Sequence, residues 1–405
     1  MKIAISAGDP SGDEHGARII STVRMLCPEA TIFGMGGSAL RSVGVETLID
    51  SEVDASVMGF LDVIKSLGTL RRALKRMTSL LRERAPDVLL LVDYQDFNLL
   101  LAKQAKRLGI RTVFFIAPTV WAWRPGRAKS FQKYVDALAC VFPFEPEVFK
   151  SLGYDNALFV GHPFSDGLTQ FTFPPEKRAL LRREFGIGDD ELALALFPGS
   201  RNQEVKALLP LLVAALKKVR QELPSVKGLV PVPSSIPQDE VLSSLKELDA
   251  EDFIKLVSQR SLDVLGASDA GLIKSGTSNL QAALTGLPFV MIYKAGWLFR
   301  NIIRLCANVK NYSIVNIIRP GTVREFVTED SLTPEALAQE ALMLLKNESY
   351  RREQLSAFQE IRDFLTPSTN SPRTSPTDAP QQLVSHRVAE MIISNDKNLS
   401  TDSSE

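Results

Sequence analysis

Residues 191–205 read ELALALFPGSRNQEV: an apolar run, a Pro-Gly turn, then Ser200, Arg201 and a helical pattern over about 203–220. A continuous apolar run bounded by turn residues and feeding a helix is how a buried parallel strand reads in a βαβ unit. The first half of the chain already uses the same grammar. KIAIS (2–6) leads to a helix near 13–26 and TIFGMGG (31–37) to a short helix. PDVLLLVD (86–93) leads to a helix near 97–108, and RTVFFIAP (111–118), DALACVFPF (136–144) and ALFVGHPFSDG (157–167) follow. TQFTFPP (169–175) reads as a linker, after which 191–205 restarts the pattern. KGLVPVP, DFIKLV, SDAGLIKSGTSNLQAALTG and LPFVMIYK then continue it to residue 294. The restart decides the fold: an α/β chain of two doubly wound domains, each with a parallel sheet.

Helices near 333–345 and 348–365 close the second array. The Pro/Ser/Thr-rich stretch 366–380 reads as disordered, and a last helical run near 381–394 precedes a polar tail. The expected organisation is therefore 1–165, 166–345, a closing helix at 346–366 that packs back toward the N-terminal domain, and a partly disordered tail at 367–405.

Bulk composition narrows the function classes. The 405 residues carry 47 Lys plus Arg against 47 Asp plus Glu, so no global charge points to nucleic acid. Cys27, Cys140 and Cys306 are isolated, which suits a reducing compartment and offers no metal or redox pair. The chain opens on a strand-like run without a signal-peptide pattern, and no apolar stretch reaches the ~18 residues of a spanning helix. The expectation is a cytoplasmic protein with no cofactor and no metal.

Ligands of open parallel sheets bind beyond the carboxyl ends of the strands, and two such domains face each other across a cleft. The loops after the strands are where Gly, Asp, Trp, His and Arg concentrate. In 197–205, helix-start N–H groups and Arg201 suit phosphate oxygens, although an ordinary strand-to-helix turn reads the same way. Ser275, Gly276, Thr277 and Ser278 open a second helix in IKSGTSNLQAAL, with Gln281 one turn in. Alone that is an N-cap, but beside the 197–205 loop a nucleotide diphosphate is the better account. Neither is a P-loop, because the Walker spacing is absent. LLLVDYQDFN (89–98) sets Asp93 and Asp96 at a strand end, with Asp96 expected as helix cap and Asp93 free to act as a general base.

SAGDPSGDEHGA (6–17) fails the dinucleotide spacing and leaves open a phosphate cradle, an acid/base site or a tight turn. Gly8 and Gly12 allow close approach there, and Asp9 and Ser11 lie in the same cleft loop. APTVWAWRPGR (117–127) offers Trp123, Arg124 and Arg127, where packing is as good an account as a ligand; GHPFSD (161–166) offers His162, a lone histidine of the usually structural kind with a secondary binding role. Residues 57–81 follow helical spacing with a basic flank. Val57, Met58, Phe60 and Leu61 with Arg71, Arg72 and Lys75 form either a packed amphipathic helix or a contact to anionic lipid.

Taken in order, AGDPSGDEHGA, VMGFLDVIKSL, PDVLLLVDYQDFN, IAPTVWAWRPGR, VFPFE, VGHPFSD, LFPGSRNQEV, SGTSNLQAAL and YSIVN (312–316) resemble the lipid A disaccharide synthases. These are GT-B glycosyltransferases with two Rossmann-like domains. The resemblance runs from residue 3 to about 345. It implies transfer of a 2,3-diacylglucosamine unit from its UDP derivative to 2,3-diacylglucosamine 1-phosphate. The products are the β-1,6 disaccharide and UDP, formed with inversion and without a bound metal. It further implies Asp93 as general base, Arg201 at the diphosphate and Asn316 in the donor site. Residues 6–17 become the acceptor-side loop, with Asp9 a ligand to sugar hydroxyls or a helper to Asp93, and peripheral contact with the cytoplasmic face of the inner membrane is implied.

Two positions depart from the family pattern: Asp9 stands where the first motif has Glu, and Gln281 replaces a Glu expected to reach the ribose. The loop after Asn316, NIIRPGTVREF, also reads as shortened, without its usual acidic residue. A paralogue that binds lipid or nucleotide with weakened catalysis, or a GT-B transferase using another UDP-sugar, are the alternatives that these departures leave open.

Overall fold

The computed structural model describes residues 1–51, 63–120, 125–294, 311–328, 330–365 and 383–394. The chain divides into two units: Met1–Asp166 joined by Leu365–Glu405, and Gly167–Phe364.

The first unit is built on a parallel seven-stranded sheet in the order β3-β2-β1-β4-β5-β6-β7. Its strands are β1 (Lys2–Ala7), β2 (Thr31–Gly36), β3 (Glu46–Asp50), β4 (Val88–Val92), β5 (Arg111–Phe115), β6 (Ala137–Cys140) and β7 (Ala157–Phe159). All five β4 residues, VLLLV, are buried, because helices cover both faces of the sheet. On one face α3 (Val63–Arg84) and α4 (Gln95–Arg107) deliver Met77, Leu81 and Leu101 onto Leu89, Leu91 and Phe114. Each such side chain contributes roughly 1.5–3 kcal/mol by leaving water. The helix α1 (Pro10–Leu26) buries Ile19, Ile20 and Val23. Strand β3 escaped the sequence reading because ETLID, at the sheet edge, keeps mixed polarity and is only partly buried.

The second unit repeats the plan with six parallel strands in the order β10-β9-β8-β11-β12-β13. These are β8 (Ala193–Phe197), β9 (Lys227–Val232), β10 (Ile254–Ser258), β11 (Ala270–Lys274), β12 (Phe289–Ile292) and β13 (Glu325–Phe326). Here α8 (Asn202–Glu222) and α13 (Pro334–Lys346) bury Leu212, Leu216, Leu337 and Leu344 against Leu194, Leu272 and Val290.

In both sheets the winding reverses direction beside the first strand of the unit. Ala7 of β1 registers with Val92 of β4, and Phe197 of β8 with Ile273 of β11. The loops 8–9 and 93–94 therefore leave side by side at one switch point, and loops 198–201 and 274–277 at the other. These are the positions where open α/β sheets take ligands.

One expectation needs amendment, a second is sharpened and a third falls partly outside the described residues. The helix α14 (Glu348–Leu365) packs within the second unit, where Gln354 pairs with the Phe289 backbone and Phe358 stacks on the Phe289 ring. The return to the first unit is made by α15 (Val384–Ile393), the short helix expected in the tail. Arg111 donates to the carbonyls of Met391 and Ile392, and Val388 and Ile392 are fully buried. Third, α3 buries Ala73 and Met77 while Arg71, Arg72 and Lys75 are exposed; Val57, Met58, Phe60 and Leu61 lie outside the described residues. Among the described residues no helix is long and apolar enough to cross a membrane.

Candidate active site

Strand β4 ends at Val92, and the chain enters α4 three residues later, through Asp93 and Tyr94. Both have φ of 44°. Two successive left-handed residues cost about 1–2 kcal/mol each, and such strain persists where surrounding structure over-determines it. Here the Asp93 amide continues the ladder to the Phe115 carbonyl at 2.9 Å. The Asn98 side-chain amide donates to the carbonyls of Asp93 (2.8 Å) and Val92 (3.1 Å). The Tyr94 ring lies on Gly8, where a Cβ would fall 2.1 Å from its Cδ1 atom. Gly8 is thus required for packing.

Asp9 caps α1, its Oδ1 accepting from the Gly12 amide at 2.7 Å. Its charge also reaches Asp93. Burial first, and the Asp9 carboxylate second, push Asp93 up to about 6 against a small opposing effect of the Tyr94 amide. A carboxylate poised there is ionised at neutral pH yet basic enough to take a proton. Asp13, the second aspartate of the motif, is buried and accepts from the amides of Gly37 (2.6 Å) and Ala39 (2.8 Å), so it pins the β2 loop.

Asp96 is not the cap expected of it. The helix starts at Gln95, Tyr94 stands at the cap position and gives no side-chain capping bond, and Asp96 instead pairs with Arg127 at 2.5 Å. His162 is held by packing: its Nδ1 accepts from the Phe164 amide at 3.2 Å, and its ring lies against Phe142 and Phe164. His15, which the sequence reading passed over, has Nε2 3.4 Å from the hydroxyl of the exposed Ser11 and its ring edge-on to Phe115. Burial lowers His162 to about 3 and His15 to about 4, with His15 and Arg18 respectively adding to the effect, so both are neutral at pH 7. Trp123 and Arg124 lie outside the described residues.

In the second unit a cavity of about 560 Å³ opens at the switch point, lined by Ser200, Arg201, Glu204, Lys274 and Ser275–Ser278. Arg201 stands at the cap of α8 with its side chain 79% exposed, available to an incoming anion. Glu204 accepts from the amides of Ser200 (3.1 Å) and Arg201 (3.4 Å) and from Lys274 Nζ (2.9 Å). Burial raises Glu204, but the Lys274 bond and charge, the Ser200 amide and the Arg201 charge together outweigh it and hold the carboxyl below its ordinary value. Lys274 is a second cation in the cradle that motif reading did not single out, although it ends β11 directly before Ser275. The helix α11 (Thr277–Thr285) starts from Gly276, and the Ser275 hydroxyl donates to the Tyr312 carbonyl at 3.1 Å. Gln281 is half-buried one turn along and is not among the cavity-lining residues.

Asn316 departs from its expected part. It is 4% exposed, and its amide is consumed internally. Nδ2 donates to the Val323 carbonyl and to Glu325 Oε1, both at 2.8 Å, while Oδ1 accepts from the Val323 amide at 2.9 Å. Glu325 also takes the amides of Tyr312 and Ser313, each at 2.9 Å. The loop thus does bring an acidic partner to Asn316, and the pair shapes the segment that receives the Ser275 hydroxyl. Among the described residues no cluster of three or more His, Cys, Asp and Glu side chains forms a metal-holding group.

Residues 3–376 match the family described as lipid-A-disaccharide synthetase. The lipid-A-disaccharide synthase of Anaeromyxobacter dehalogenans is 37% identical over 368 residues, which is 90% of this chain and 93% of that protein. Among solved structures, a glycosyltransferase from Rickettsia africae aligns with a TM-score of 0.57 at 13% identity, over 98% of this chain and 99% of its own. A UDP-GlcNAc 2-epimerase from Neisseria meningitidis bound to UDP-GlcNAc aligns with a TM-score of 0.60 at 11% identity, over 90% and 99%.

Proposed function

The chain belongs to the lipid-A-disaccharide synthetase family, and from that premise we propose that it joins two acylated glucosamines with inversion. The donor is UDP-2,3-diacylglucosamine, the acceptor 2,3-diacylglucosamine 1-phosphate, and the product their β-1,6 disaccharide with UDP released. The observation that carries the assignment of roles is Asp93, a half-buried carboxylate at the sheet switch point raised to about 6. Asp93 accepts the proton of the acceptor 6-hydroxyl as that oxygen bonds to the donor anomeric carbon. The bond from that carbon to the diphosphate oxygen breaks on the opposite side, and UDP leaves with the electron pair.

Charge growing on the diphosphate is met by Arg201, Lys274 and the N–H groups at the starts of α8 and α11. The Neisseria protein of the same fold is bound to a UDP-sugar, which supports a UDP-sugar as the donor here. Asp9 serves the N-terminal half by capping α1 and by keeping Asp93 basic; Ser11 and Gly12 border that loop. The exposed Arg71, Arg72 and Lys75 of α3 give anionic lipid a place to meet the surface, as acylated substrates require.

The test is transfer by the purified chain with UDP-diacylglucosamine and radiolabelled acceptor phosphate, read by thin-layer chromatography. Formation of the labelled disaccharide supports the reading. No product with this donor, or product only with another UDP-sugar, removes it.

A further inference from the structure

We infer that Asn98 is a positioning residue for the base: its buried amide, locked by Ser6, holds the Asp93–Tyr94 turn in the conformation that presents the Asp93 carboxylate. The inference rests on the reading of Asp93 given above and adds to it a residue that touches no reacting atom.

Asn98 is 0% exposed and sits one turn into α4. Its Nδ2 reaches three carbonyls, those of Asp93 (2.8 Å), Val92 (3.1 Å) and Ser6 (3.3 Å). Its Oδ1 accepts from the Ser6 hydroxyl at 2.6 Å. The three carbonyls fix which end of the amide is nitrogen, because a carbonyl can only accept; the Ser6 hydroxyl, able to donate or accept, then donates to the amide oxygen. Two of the three, those of Val92 and Asp93, stand where β4 ends and the left-handed turn begins, and the Ser6 carbonyl lies one residue before the last registered pair of β1 with β4. Buried carbonyls without a donor are strongly disfavoured. A single side-chain amide therefore ties the end of β1, the end of β4 and the strained turn into one rigid piece. A hydrophobic side chain at 98 would fill the space but leave the turn free to relax to ordinary φ, and the carboxylate would move with it.

The experiment compares full-length Asn98→Ala and Ser6→Ala with wild type and Asp93→Asn. It reads kcat, KM for the UDP-donor, UDP affinity by calorimetry and the melting temperature. Loss of the amide is expected to lower kcat roughly a hundredfold, as a displacement on the ångström scale at a reacting group does. KM and UDP affinity should stay within about twofold. Ser6→Ala, which only unlocks the amide, should lower kcat about tenfold with the same split. Unchanged kcat in either folded variant overturns the inference, as does a parallel loss of kcat and UDP affinity, which is the pattern of a merely structural residue. Should Asn98→Ala not fold, Ser6→Ala decides alone. An active Asp93→Asn removes the base and this inference together. An inactive Asp93→Asn beside a fully active Asn98→Ala removes only the inference.

Discussion

Lys274 Nζ lies 2.9 Å from Glu204 Oε1, and the same carboxylate takes the amides of Ser200 and Arg201. This pair joins the end of β11 to the start of α8 across the second switch point, so the cradle for a diphosphate is pre-formed around an internal ion pair. Both side chains are about one-fifth exposed, which makes the pair stronger than a surface salt bridge and more costly to break.

Replacing Lys274 by Met should therefore have two effects. UDP affinity falls about tenfold by calorimetry, as one charge-assisted contact is lost. Stability in urea also falls by about 1–3 kcal/mol, because Glu204 is left partly buried without its cation. Arg201→Ala separates the two effects. Arg201 is largely exposed, so UDP affinity falls at least as far while stability changes by no more than about 0.5 kcal/mol.

The pH profile follows from Asp93. A base must be ionised, so kcat/KM should fall as pH drops through about 6, well above the ordinary carboxylate value of 3.8. Stability has the opposite dependence. Between about pH 4 and 6 the native state keeps a proton that the unfolded chain has released, so stability falls as pH rises through that window. Above it the ionised Asp93 costs of the order of 3 kcal/mol. Asp93→Asn should recover much of that at pH 7.5 and little at pH 4, as urea midpoints at the two pH values will report.

Asn316→Ala should act through folding first. The substitution removes three hydrogen bonds in a buried network and strands the Val323 backbone and Glu325. A loss of about 2–3 kcal/mol in urea is expected, with UDP binding weakened only as far as the 311–325 segment loosens. A full loss of UDP binding in a variant of unchanged stability would restore Asn316 as a direct ligand.

What the sequence disclosed depended on how local each feature was. The apolar runs VLLLV and ALALF, each stopped by Asp or Pro-Gly, marked both switch points, because a buried parallel strand imposes its pattern on contiguous residues. Asp93 and Arg201 were legible for the same reason, standing where such strands end. Lys274, Glu204, His15 and Asn98 were not, since their parts come from contacts between segments far apart in the chain. The internal bonds of Asn316 were not legible either, because spacing cannot say toward which side of a five-residue helix an amide turns. The helix Val384–Ile393 was legible as a helical run near 381–394, but nothing in that run told of the carbonyls that Arg111 would find on it.

The most direct test of the account is the turnover of Asp93→Asn with UDP-diacylglucosamine and acceptor, measured beside its UDP affinity. The amide keeps the shape of the carboxylate and cannot accept the hydroxyl proton. The account predicts a fall of at least a hundredfold in kcat with UDP affinity unchanged. Turnover at the wild-type rate, or loss of UDP binding in step with turnover, would contradict it.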